Sequence, residues 1–400
     1  MGKIRTAVIT TSRADYGLLC PLIKRLKDDE AFDPELIVTG SHLSAAHGMT
    51  IDQIQADGYE KCGIVEAMVS SDTESGICEA MASGLKRFSS IYSEGKPDLI
   101  IVLGDRYELW PACISAVVYK IPIAHIHGGE ATFGAIDECI RHSVTKMSSL
   151  HFPSIDLYAK RIIQMGEEPE RVFTVGALGI DNIREMELMS LEELNAFTGV
   201  DFSHNTALMT YHPVTLDEYE TGAGQTEEIL RALISFKELN VLITAPNMDT
   251  GFQSIFNIIQ HYAERYPTRI KLVRSLGQRA YLSSLKYAGL MVGNSSSGII
   301  ESASFRLPVV NVGDRQAGRF KPSNVIDCEC TEDSVKAAVR KAISEEFTAS
   351  ISDLKNPYGD GDTAEKIIQV LKQVDLTDKS KLLKKRFFDI EIDPTLVKVD

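Results

Sequence analysis

Four short polar motifs in the 400-residue chain carry the residue types that could do chemistry. Ser12-Arg13-Ala14-Asp15-Tyr16 puts a guanidinium where a helix begins, from which Arg13 can fork onto a phosphate or a sugar carbonyl. Helix capping by Ser12 or Asp15 accounts for the same residues. Gly104-Asp105-Arg106-Tyr107-Glu108 places opposite charges straight after Ile-Ile-Val-Leu, which is costly unless they are paired or used. A surface turn with a local ion pair is the plainer alternative. His125-Ile126-His127-Gly128-Gly129-Glu130 precedes Asp137-Glu138-Cys139-Ile140-Arg141-His142. Strand alternation sets His125 and His127 on one face, and the glycine pair would let the backbone approach a ligand closely. His-x-His near a Glu also suggests a metal, but no further ligand stands at a metal spacing, so no metal is assigned.

The fourth motif, Gly293-Asn294-Ser295-Ser296-Ser297-Gly298, offers small hydroxyl residues and free N–H groups before a helix expected near Ile299, a cradle suited to a diphosphate. Glu301, one turn further, would repel phosphate but suits the paired hydroxyls of a ribose. An ordinary Ser-capped helix is the alternative. Tyr211-His212-Pro213 ends a strand with an imidazole, and Gly313-Asp314-Arg315-Gln316-Ala317-Gly318-Arg319 adds a basic loop.

These motifs stand where strands should end. KIRTAVIT, PELIVTG, DLIIVLG, IPIAHIH and a strand near LHFPS alternate with amphipathic stretches such as ADYGLLCPLIKRLKDD, Glu79–Tyr92, a helix from Glu108 and Asp137–Met147. A second set, TALMTYH, NVLITAP, RIKLVRS, GLMVGN and LPVVNVG, follows a polar connection, EMELMSLEELNAFTGVDFSHN, read as irregular. Continuous apolar strands alternating with helices predict parallel sheets covered on both faces. The expected fold is α/β, with two Rossmann-like doubly wound domains facing a central cleft. Their bounds are 1–190 and 191–375, and the second includes a helix over Thr363–Val374. Residues 376–400 form a tail that either packs back on the first half or stays mobile.

Composition narrows the partners. Lys and Arg number 42 against 56 Asp and Glu, so the formal charge of −14 argues against a nucleic-acid or anionic-membrane binder. It does not exclude a small anion held by local arginines. No apolar run is long enough to cross a bilayer, and the N-terminus enters a strand without a signal-like apolar segment, so a cytoplasmic protein is expected. The seven cysteines are odd in number and contain no Cys-x-x-Cys, which predicts reduced thiols. Neither a G-x-G-x-x-G after the first strand nor a P-loop is present.

Together these residues resemble the hydrolysing UDP-N-acetylglucosamine 2-epimerases of bacterial sialic acid synthesis, relatives of the GT-B glycosyltransferases. The likeness runs through SRADYG, TGSHL, VLGDRYE, HIHGGE with IDECIRHSVTKMS, TYHPVTL, NMDTG, GNSSSGIIE, NVGDRQAGR, NPYGDGD and KRFFDI. It implies a UDP-sugar in the cleft, UDP-N-acetylglucosamine as substrate, UDP as product, no cofactor, and a homo-oligomer, dimer or tetramer. The implied reaction eliminates UDP across C1–C2 to a 2-acetamidoglucal. Water then adds at C1 while C2 is reprotonated from the opposite face, giving N-acetylmannosamine. Residue by residue, the resemblance makes Asp105, Asp137 and a carboxylate of the HIHGGE loop the acid–base groups, with His212 beside the leaving phosphate. Arg13, Ser295, Ser296 and Arg315 would hold the diphosphate, Arg106 would lie in the same cleft, and Glu301 would hold the ribose.

Many relatives have Glu where this chain has His127, so either Glu130 or His127 carries that proton transfer. Non-hydrolysing relatives have a Gln-His-Arg-Glu-Met-like motif after the second strand. Here Gly40-Ser41-His42-Leu43-Ser44 stands instead, which favours hydrolysis. The competing readings are a 2-epimerase of the 2,4-diacetamido-2,4,6-trideoxy nucleotide sugar of legionaminic acid synthesis, a GT-B glycosyltransferase, and a non-catalytic nucleotide-sugar sensor.

Overall fold

The computed structural model describes residues 2–43, 49–59, 62–66, 73–133, 136–203, 205–212, 221–246 and 252–391. Two compact units emerge. Unit 1 comprises residues 1–130, 139–178 and 362–400, and unit 2 comprises 131–138 and 179–361.

Unit 1 is built on six parallel strands: β1 Ile4–Thr10, β2 Phe32–Thr39, β3 Cys62–Val65, β4 Leu99–Leu103, β5 Ile123–Ile126 and β6 Leu150–Phe152. Their order is β3-β2-β1-β4-β5-β6. The strands are apolar on both faces because both are covered. Val8, Leu36, Val38 and Ile101 meet helices Arg13–Asp28 and Thr363–Gln373 through Leu19, Leu22, Ile367 and Leu371. Ala7, Ile9, Ile100 and Val102 meet helices Glu74–Glu94 and Leu109–Val118 through Phe88, Tyr92, Ala112 and Cys113. Residues 7 and 8 thus go to opposite layers, as the period of a strand requires.

Unit 2 repeats the plan with β7 Thr206–Thr210, β8 Asn240–Thr244, β9 Ile270–Val273, β10 Leu290–Gly293, β11 Val309–Val312 and β12 Val325–Cys328. The order is β12-β11-β10-β7-β8-β9, the first sheet's order read in reverse. In each sheet the first and fourth strands of the unit lie side by side, and the chain departs from them in opposite directions. Such a switch point opens a crevice at the carboxyl ends of the strands, the general ligand position of doubly wound folds.

Several sequence expectations change. The units divide at 178/179 and 361/362 rather than near 190 and 375. Helix Thr363–Gln373 belongs to unit 1, because its apolar face completes the layer over helix Arg13–Asp28, with Lys372 paired to Asp29 at 2.9 Å. The stretch expected to be irregular begins at the last residue of helix Leu178–Glu185 and contains helix Leu191–Thr198. The latter is opened by a capping box between Ser190 and Glu193 and closed by Gly199 in the left-handed conformation. Strands β3 and β12, both at sheet edges, escaped the sequence reading.

Tail residues 376–391 pack on unit 1. Lys385 Nζ donates to the carbonyls of Lys146 and Ser148 at 2.7 Å each and to Glu167 Oε2 at 2.8 Å. Arg171 donates to the carbonyls of Lys381 and Leu382, and Phe388 N–H to the Gly166 carbonyl. Among the described residues no helix is long and apolar enough to cross a membrane.

Candidate functional site

In unit 1 the switch point lies between β1 and β4, and its loops carry Thr11–Asp15 and Gly104–Glu108. Ser12 caps helix Arg13–Asp28, accepting from Asp15 N–H at 3.3 Å, and Arg13 is exposed at the first helical position. The Asp15 carboxyl accepts the Thr11 hydroxyl. Its burial raises the pKa against the lowering effect of the Arg106 charge. Arg106 grips Glu108 through Nε and Nη2 at 3.2 and 3.1 Å, so its charge is compensated within its own loop. That is the local ion pair the sequence offered as the plainer reading of this motif.

Asp105 stands beside this pair and points elsewhere. Its carboxylate meets Arg141, a fully buried guanidinium on helix Asp137–Met147 whose Nη1 also donates to the Glu130 carbonyl at 3.1 Å. One arginine therefore fixes both the Asp105 side chain and the end of the His127–Glu130 loop. Arg141 lay inside a quoted motif, but sequence reading gave it no role.

The two histidines of that loop do not share a face. β5 ends at Ile126, and His127 takes a φ of +64°, which breaks the alternation. His125 stays in the core, with Nε2 2.8 Å from the Gly104 carbonyl and Nδ1 3.1 Å from Thr145 Oγ1. Burial pushes its pKa down to about 3. His127 Nδ1 lies 3.1 Å from Glu130 Oε1, and both side chains are buried. The glycine pair is needed for packing. At Gly129, with φ +76°, a Cβ would sit 2.3 Å from the Tyr158 carbonyl.

Asp137 is partly exposed in the first turn of its helix, whose neighbour Glu138 accepts Thr132 N–H at 2.6 Å. Both belong to unit 2, whereas Arg141 on the same helix belongs to unit 1. His42 stands in the 3-10 turn Gly40–Leu43 that follows β2. It is buried between the hydroxyls of Thr10 and Thr50 at 2.9 and 2.8 Å, and burial lowers its pKa to about 4.

In unit 2 the switch point lies between β7 and β10. Asn294 ties the two strand ends together: its Oδ1 accepts His212 N–H at 2.7 Å and its Nδ2 donates to the His212 carbonyl at 2.8 Å. Gly293 permits the approach, because at φ +138° a Cβ would fall 1.9 Å from the Thr210 carbonyl. Arg315 Nη1 and Gln316 Nε2 both donate to the Asn294 carbonyl, at 3.1 and 2.8 Å. His212, Ser295 and Arg315 thus converge on one asparagine, and partly exposed Ser296 follows Ser295 in the same turn. The His212 ring is neutral, because burial and then the Arg315 charge push its pKa down to about 3.

The helix expected to follow is a single turn, Ser297–Ile300, continued by a 3-10 turn. Its dipole is correspondingly small, and the polar groups of this turn are the Ser295–Ser297 hydroxyls, their backbone N–H groups and the neighbouring Arg315. Tyr281 was missed in the sequence. Its hydroxyl lies among Ser295, Ser297 and Thr210 with Glu301 nearby, and burial raises the phenol to about 12. Pro213 and the NMDTG motif lie outside the described residues.

The profile of the family described as UDP-N-acetylglucosamine 2-epimerase matches residues 24–372. The chain is 37% identical over 368 residues to a Legionella pneumophila protein named UDP-N,N'-diacetylbacillosamine 2-epimerase (hydrolyzing), covering 92% of this chain and 95% of that one. It is 34% identical to the Escherichia coli polysialic acid biosynthesis protein P7, over 96% of each chain. A solved Neisseria meningitidis UDP-GlcNAc 2-epimerase bound to UDP-GlcNAc shares the fold, with a TM-score of 0.80, 16% identity, and coverage of 93% of this chain and 100% of that one.

Proposed function

The chain belongs to the UDP-N-acetylglucosamine 2-epimerase family, and on that premise we propose a hydrolysing 2-epimerase that converts a UDP-linked 2-acetamido sugar and water to the free 2-epimeric sugar and UDP. The observation that carries the reading is the pair of equivalent switch points: carboxylates and imidazoles gather at one, hydroxyls and an arginine at the other.

The chemistry sorts the residues. Removal of H2 needs a base, reprotonation of C2 from the opposite face needs a separate acid, and the leaving diphosphate needs positive charge and N–H donors. In this reading Asp105, the His127–Glu130 loop and Asp137 are the acid–base groups. Ser295, Ser296 and Arg315 serve the diphosphate and Glu301 the ribose, and exposed Arg13 is a further guanidinium for the diphosphate. His212 is neutral, so it serves the leaving phosphate as a hydrogen-bond donor and leaves charge neutralisation to arginine. Arg106, paired with Glu108, acts in this scheme by holding its loop.

For the sugar, the reading we favour is the UDP-linked 2,4-diacetamido-2,4,6-trideoxy hexose named for the Legionella relative. UDP-N-acetylglucosamine is the second reading, carried by the motif resemblance. Either product would feed polysaccharide synthesis, in line with the polysialic acid biosynthesis named for the Escherichia coli relative. The enzyme in this reading is a cytoplasmic homo-oligomer that needs no cofactor.

The test is turnover of each nucleotide sugar in deuterated water. Release of UDP with a free 2-epimeric sugar deuterated at C2 is expected. Unlabelled substrate recovered without UDP release from both would refute the epimerase reading, and the ratio of kcat/KM between the two sugars assigns the substrate.

A further inference from the structure

The loop after β5 holds a buried polar atom that the fold does not use. His127 is 8% exposed, and among the described residues its Nε2 has no hydrogen-bond partner. Its other nitrogen, Nδ1, faces Glu130 Oε1 at 3.1 Å. A neutral imidazole has one N–H and one lone pair, and a carboxylate facing Nδ1 selects the tautomer protonated there. Nε2 then presents a bare lone pair. Buried polar atoms are nearly always satisfied, so an orphan of this kind asks for a reason. The positive φ of His127 supplies the same hint, since it turns the ring out of strand alternation and onto Glu130.

Glu130 is differently placed. Its side chain is buried, Oε1 meets the Ser154 hydroxyl at 3.4 Å as well as the imidazole, and its carbonyl is held by Arg141. It is anchored as a partner, while His127 is the group with an open atom.

Resting on the epimerase reading, we infer that His127 Nε2 is the base that removes H2 and that Glu130 is its positioning residue, acting through Nδ1. The C2–H bond breaks and its proton goes to Nε2. The electron pair becomes the C1=C2 bond as the C1–O bond breaks and its pair leaves with UDP. The imidazolium is stabilised by the adjacent Glu130 carboxylate and later returns its proton to water. Inversion at C2 requires the second proton from another group on the opposite face, which leaves Asp105 and Asp137 for that step. Among the described residues, Glu130 on its own loop faces His127, His125 on β5 is coupled to it, and Arg141 holds the Glu130 carbonyl while pairing with Asp105. Burial keeps His125 neutral.

The experiment is the pH dependence of kcat/KM for wild type, His127→Asn and Glu130→Gln, with substrate carrying hydrogen or deuterium at C2. UDP binding by calorimetry serves as the folding control. Asn is chosen because it tolerates the left-handed backbone. His127→Asn is expected to lose about 10²–10⁴-fold in kcat, to lose the acid limb of the profile, and to bind UDP as before. Glu130→Gln keeps an acceptor beside Nδ1 but removes the charge that favours the imidazolium. It should retain measurable turnover, with the acid limb moved to lower pH and the C2 isotope effect preserved. Glu130→Gln losing the limb altogether, or His127→Asn turning over at near wild-type rate, overturns the assignment and makes Glu130 the base. Absence of turnover by wild type on either sugar overturns the epimerase reading itself, a result distinct from both.

Discussion

Removing the Lys385 ammonium tests whether the tail is part of the catalytic scaffold. In Lys385→Ala the carbonyls of Lys146 and Ser148 lose their donor at the end of helix Asp137–Met147, and buried Glu167 loses one of three cationic or hydrogen-bonding neighbours. Breaking a buried pair outright costs about 3–5 kcal/mol. Glu167 keeps Lys146 at 2.5 Å and His151 at 3.0 Å, and the Lys385 side chain is 20% exposed. A cost of about 2–3 kcal/mol follows once that remaining compensation is allowed for. For a unit of this size that is a fall in melting temperature of roughly 4–12 °C. The same helix carries Arg141, which holds Asp105, so kcat should fall while KM for the nucleotide sugar stays close to wild type. Thermal unfolding by calorimetry and steady-state kinetics below the transition are the assays. Lys385→Arg should recover part of both, and the double variant Lys385→Met with Glu167→Gln should be less destabilised than the sum of the singles. A melt of Lys385→Ala within about 1 °C of wild type, or strict additivity of the pair, refutes the reasoning.

Other perturbations have equally direct outcomes. Asp105→Asn should lower kcat about 10²–10⁴-fold with UDP affinity unchanged in calorimetry. Arg315→Gln should weaken UDP binding about tenfold or more, since it removes the charge that neutral His212 cannot supply. Asn294→Ala strands the His212 N–H and carbonyl at a cost of about 1–3 kcal/mol, seen as a lower melting temperature and weaker UDP binding together. Glu167 governs acid stability. Burial would raise its pKa, but bonds from His151, Lys146 and Lys385 prevail and hold it at about 2, against an ordinary 4.5. A depressed carboxylate contributes stability above its unfolded value and loses it as pH falls, so wild type should lose stability between about pH 4.5 and 2, and Glu167→Gln should flatten that slope in pH-dependent denaturation.

Ten of the twelve strands among the described residues were legible because a buried parallel strand is an unbroken apolar run such as Leu99–Leu103 or Thr206–Thr210. The two that escaped, β3 and β12, lie at sheet edges, where Cys-Gly-Ile-Val and Val-Ile-Asp-Cys are short and half-exposed. The capping box at Ser190 and Glu193 was written in the sequence and outweighed by the polarity around it. Helix Thr363–Gln373 shows a harder limit: its amphipathic period was visible, but which sheet it would cover is a long-range fact that periodicity does not carry. The motifs at the strand ends could be located, yet the partners within them could not. Arg141, Asn294 and Tyr281 act through pairings to residues far along the chain, and only the fold brings those together.

The histidines show how burial divides one residue type into separate roles. His42, His125 and His212 all stand at strand ends and look alike in sequence, but desolvation drops their pKa values to about 4, 3 and 3. At neutral pH none carries charge; His42 joins Thr10 to Thr50 through its ring nitrogens, and His125 braces the Gly104 carbonyl just before Asp105. Two consequences follow. Positive charge for a departing diphosphate has to come from arginine, which makes Arg315 matter more than the formal charge of −14 would suggest. An acid limb of the activity profile near neutrality also cannot belong to these three rings.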